Sequence, residues 1–138
     1  MAADHTTLTT LVGLDTLSGN TTGETNTAVG ALAMKNNTGG SRNVAVGYDC
    51  MSDGNFSADC VAVGVGAMRE NRTGTANVAV GRSAMEGNRD GYNNTAVGHN
   101  ALAANVSSTS NTAVGASALQ ATTAEGNTAV GRGAGQAL

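Results

Sequence analysis

Few side chains in this 138-residue chain are equipped for chemistry. The two histidines, His5 and His99, are the natural general bases, yet neither has a carboxylate or nucleophile at a recurring offset, so no proton-transfer pair is assembled. Cys50 and Cys60 lack the Cys-x-x-Cys spacing and the nearby histidine of a zinc site. They read as buried free thiols that pack like small apolar residues, with a disulfide as the other state open to them. Asp49, Asp53, Asp59 and Asp90 are sporadic and do not build the Gly-Gly-x-Gly-x-Asp pattern of calcium-binding rolls. Gly64-Val65-Gly66 and the run Gly131 to Gly135 read as turns, because no helix follows to hold a phosphate on its N-terminus. No catalytic, cofactor-binding or metal-binding residue is expected, and the chain reads as a non-enzyme.

What organises the chain is a period. The phrase Asn-Thr-Ala-Val-Gly, lightly varied, begins at Thr9, Asn26, Asn43, Cys60, Asn77, Asn94, Asn111 and Asn127, at intervals of 17 residues and, at the last step, 16. Such regularity marks each unit as one turn of a repeating structure. Numbered from the Asn, position 4 is Val in all eight copies and position 5 is Gly. Position 8 is small, position 9 is Leu or Met, and Asn at 12 with Gly at 15 recurs in the polar remainder, as in Asn20 to Gly23 and Asn88 to Gly91. Positions 1 to 5 alternate β-branched and small residues, so they form a short strand with positions 2 and 4 on one face and Ala at 3 on the other. Gly at 5 turns the chain, the Ala-Leu/Met pair predicts a second short extended piece, and Asn-x-x-Gly closes the coil.

The prediction is an all-β fold, a parallel β-roll or solenoid of about 17-residue coils. An N-terminal segment over 1–8 precedes an eight-coil repeat domain over 9–138. Stacked in register, the coils make a rod about 35 to 40 Å long with ladders of Val, Met/Leu and Asn along it. Cys60 interrupts the Asn ladder, whose amides bond one another or cap the turns. Two large apolar side chains per coil do not offset the ordering of 17 backbones. A second apolar face must then be buried between chains, which predicts a homo-oligomer.

Composition narrows the partners. With one Phe, two Tyr and no Trp, a broad globular core is not available. A formal net charge of −3 and singly scattered arginines leave nucleic acid without its main source of affinity. No apolar run approaches the roughly 20 residues of a membrane helix, so membrane insertion is not expected. The start of the chain does not read as a secretion signal, which fits a cytoplasmically assembled particle or a cut fragment.

The phrases Asn26 to Met34, Asn94 to Leu102 and Asn111 to Leu119 resemble repeats of phage tail fibres and of YadA-like heads of trimeric autotransporter adhesins. The resemblance implies a left-handed parallel β-roll with three chains side by side about an axis, projecting from a virion or cell surface and carrying a receptor-binding surface. It departs from the adhesins, whose units are commonly shorter and are followed by a coiled-coil stalk and anchor. It departs also from tail fibres, which carry attachment and chaperone regions. For a host glycan or protein receptor, the large side chains off the ladders are Tyr48, Tyr92, Phe56, Arg69, Arg72 and Arg89, and Arg69, Arg72, Arg89 and Tyr92 come nearest to one height on adjoining coils. His99 sits at the mixed position 6, expected to face solvent. The alternatives are an extracellular filament scaffold without receptor binding, and an ice-binding solenoid built on the position 2 threonines, a column broken by Val44, Val61 and Val78.

Overall fold

The computed structural model describes residues 9–136; the N-terminal segment 1–8, with His5, lies outside them. Each coil places its β-branched triplet in a three-residue strand: β1 (Thr10–Val12), β2 (Thr27–Val29), β3 (Val44–Val46), β4 (Val61–Val63), β5 (Val78–Val80), β6 (Thr95–Val97), β7 (Thr112–Val114) and β8 (Thr128–Val130). They pair in chain order as one eight-stranded parallel sheet. The register places like above like, Ala45 beside Ala62 and Val46 beside Val63, and continues unshifted into the 16-residue step as Thr112 beside Thr128. At the usual strand spacing the sheet is about 34 Å across. The chain is thus an all-β parallel solenoid of about seven turns, with no helix among the described residues.

The predicted second extended piece is not formed. Positions 5 to 12 are instead consecutive turns: in the second coil Ala33 N–H donates to Gly30 O, Lys35 N–H to Leu32 O and Asn37 N–H to Met34 O. Positions 7 and 9 take the left-handed conformation in coil after coil, for example Asp49 at φ 58° and Met51 at φ 51°. A positive φ at the third residue is the mark of a type II turn. Neighbouring coils supply the other half of the bonding, as in Met34 N–H to Cys50 O and Asn36 N–H to Ser52 O. Position 5 must be glycine for two reasons. Gly64 stands at φ +137°, and a Cβ there would lie 2.6 Å from the backbone of Gly81 in the next coil.

The interior is narrow. Ala at position 3, the small residue at 8 and Leu or Met at 9 point inward, and Ala62, Ala67 and Met68 are fully buried. Of the two strand faces, the one carrying Ala at position 3 goes inside, and the valines of position 4 lie outside. Only the Met or Leu is a large apolar residue of the interior. Asparagine provides the rest. Asn26 Oδ1 accepts the N–H of Asn43 at 3.0 Å, and its Nδ2 donates to Gly40 O at 2.7 Å. The same pair of bonds recurs at Asn77 and Asn94. At position 12 the amides do bond one another: Asn37 Nδ2 donates to Asn20 Oδ1 at 3.0 Å and Asn88 Nδ2 to Asn71 Oδ1 at 2.7 Å. The predicted asparagine ladder is therefore two ladders, one bonding backbone and one bonding amides.

Candidate functional site

Two outward surfaces are built by the stack. The first is the outer face of the sheet, where positions 2 and 4 emerge together as the strand period requires. Position 4 is half-exposed along the middle of the rod, with Val46, Val63, Val80, Val97 and Val114 each 36–38% accessible. Leu14, Tyr48 and Val65 at position 6 extend this apolar ribbon past the turn. Contiguous apolar strips of such length on a protein surface mark interaction sites.

The second surface is a groove of about 370 Å³ lined by Asn36, Asp53, Glu70, Asn55, Arg72 and Arg89. Asn36, Asp53 and Glu70 occupy position 11 of three successive coils, and Asn55, Arg72 and Arg89 occupy position 13 of three. Position 12 turns inward between them, so the two outward columns form facing walls. Elsewhere these positions are Gly19, Gly87 and Ala104 on one side and Thr21, Thr38 and Val106 on the other. Both columns carry polar side chains that line the groove in the third and fourth coils, and Asn36 and Arg89 extend one wall each into the coils on either side.

Within the groove Arg89 Nε lies 3.4 Å from Glu70 Oε2, and Asn36 Nδ2 donates to Asp53 Oδ1 at 3.2 Å. Arg72 has no ion-pair partner among the described residues. Of the residues expected to grip a receptor, Arg72 and Arg89 are brought together here. Arg69 is not: at position 10 it is held by Glu86 at 2.7 Å, with Asp49 at 3.9 Å. Tyr92, exposed at position 16, also does not line the groove. Asn36, Asn55 and Glu70 carry no role in the sequence reading, and Asp53 figures there only among the sporadic aspartates, although aligning positions 11 and 13 by coil displays all four. Phe56, next in the chain to Asn55, is exposed with its ring against Gly39 of the preceding coil.

The remaining reactive groups are placed as follows. His99 is exposed at position 6, as expected. Both cysteines are free and buried. Burial pushes the Cys50 thiol up to about 12, and burial also raises that of Cys60, so neither supplies a thiolate nucleophile at neutral pH. Among the described residues no three His, Cys, Asp or Glu side chains cluster to hold a metal ion, and no helix is long and apolar enough to cross a membrane. The chain matches no family model, no curated protein and no solved structure.

Proposed function

We propose that this chain is a non-enzymatic structural and adhesive module: a stiff β-roll that associates side by side into a homotrimer and serves as shaft or head of a phage tail fibre or bacterial surface adhesin. Its place is then the virion or the cell surface, and its variable turns meet a host glycan or protein receptor. The observation that carries this reading is the unbroken column of half-exposed valines along the outer sheet face. The coil interior is filled by Ala and Met or Leu, so among the described residues nothing covers the outer part of the valines, and a sister chain removes it from water. Burying the rest of each valine contributes on the order of 1 kcal/mol, repeated at every rung.

Light scattering tests the assembly. A mass three times that of the 13.5 kDa chain is expected, falling to one chain in the Val63→Glu/Val97→Glu double variant with its strand spectrum retained. A single-chain mass at every concentration overturns the oligomer. Whole-cell adsorption tests the adhesive half, and a shaft that adsorbs nowhere leaves a filament scaffold. Ice binding draws on the threonines of the same flat face, but position 4 offers no hydroxyl, and position 2 is Val at Val44, Val61 and Val78. Thermal hysteresis from the wild-type chain at a single-chain mass would favour ice over assembly.

A further inference from the structure

The groove over the second to fifth coils is chemically more specific than the adhesive reading on which this inference rests. We infer that it binds an acidic saccharide, with the Arg72 guanidinium taking the sugar carboxylate and the polar side chains on either wall taking hydroxyls. Three observations lead there. The groove runs along the rod axis across four coils, about 14 Å at the usual strand spacing, a trough suited to a short chain of rings rather than to a compact ion. Its lining alternates hydrogen-bond acceptors and donors: Asp53 and Glu70 accept, Asn36 and Asn55 do both, and Arg89 donates while tied to Glu70. Vicinal hydroxyls, each donor and acceptor at once, match such a mixture.

The charge pattern then selects an acid. Arg89 is paired with Glu70 within the groove and Asp53 accepts from Asn36 Nδ2, whereas the guanidinium of Arg72 makes no ion pair among the described residues. A guanidinium in that state recognises a carboxylate through paired N–H bonds. Phe56 beside Asn55 offers an exposed ring on which the apolar face of a sugar packs. Positions 11 to 13 also lie half a coil away from the strand, so the groove stays open when the valine face is covered.

The test is direct binding of sialyllactose and of trigalacturonate by calorimetry, beside their carboxyl-reduced forms and a sulfated trisaccharide lacking carboxylate. At least one of the two acids is expected to bind, and its carboxyl-reduced form to bind at least tenfold more weakly. Arg72→Ala should weaken the acid about tenfold to a hundredfold, Asp53→Ala less, and Arg42→Ala, outside the groove, not at all. Equal binding of acid and reduced sugar, equal binding of the sulfated sugar, unchanged affinity in Arg72→Ala, or no binding of either acid would overturn the assignment. Whole-cell adsorption separates the two levels: adsorption by wild type that persists in Arg72→Ala keeps the adhesive module and discards this groove, whereas no adsorption by wild type discards the adhesive reading itself.

Discussion

Cys50 stands where alanine is usual at position 8, and its larger side chain is fully buried with Sγ 3.3 Å from Ala62 O. Burial disfavours the thiolate, so the folded chain holds this proton up to about pH 12, while the unfolded chain releases it near 9. Stability contributed at neutral pH is therefore lost as pH rises above 9, by about 1.4 kcal/mol per unit while only the unfolded state ionises. Cys60, also raised, acts in the same direction. Thermal melts from pH 8 to 11 should show a steeper fall for the wild type than for Cys50→Ala, and parallel curves would contradict the assignment. Other single residues follow similar local logic. In the second coil a Cβ on Gly40 would run into Asn37 Oδ1 and Ser57 O, whereas the sixth coil seats Ser108 at the same position with its hydroxyl bonded to Asn105. In the third coil position 12 is Gly54, and Ser57 is accommodated at position 15. That exchange leaves Asn37 Oδ1 and Ser57 Oγ without partners, since the amide that would reach Asn37 from the next coil is missing.

At the scale of the element, the coil is one strand and a chain of turns. The pair at positions 8 and 9 reads as extended because hydropathy reports burial and carries no sign of φ. Part of the sign is in the sequence: position 7 holds Asp15, Asp49, Gly66 and Asn100, which tolerate the left-handed region, beside Leu32, Ser83 and Ser117, which give no such signal, and position 9 never carries a β-branched residue. Met68, fully buried at φ 49°, makes this testable. Met68→Leu, matching Leu102 and Leu119 of the same column, should cost less than about 1.5 kcal/mol. Met68→Ile, of similar volume but branched at Cβ, should cost about 1–2 kcal/mol more. Chemical denaturation of both variants decides it, and equal losses would show that the left-handed turn is not what excludes branching.

Across the whole molecule, stability is shared between neighbouring coils, since every rung bonds only the rung before and the rung after. Removing one complete coil, Asn77 to Asn93, rejoins position 17 to position 1 and should leave a shorter folded roll with a lower melting temperature. Removing Ala79 alone shifts one strand by a residue and turns its inner face outward, which should unfold the centre of the rod. Circular dichroism separates the two, and a folded Ala79 deletion would break the register account. The natural 16-residue step obeys the same rule. It is shortened after Thr122, so that Asn111 Nδ2 meets Ala124 O, and the strand register beyond it is unchanged.

Period, strand position and the separation of Ala from Val onto opposite faces were all legible in the chain, because a side-chain repeat of two within a coil repeat of 17 leaves no other parallel stacking in register. Which face goes inside was not legible. That depends on how the turns fold the Met or Leu of position 9 inward, where with Ala of position 3 and the small residue of position 8 it fills one buried cluster. The groove likewise belongs to the stack: Asp53, Glu70, Arg72 and Arg89 are scattered along the chain and become walls only when coils 17 residues apart lie about 4.8 Å from one another.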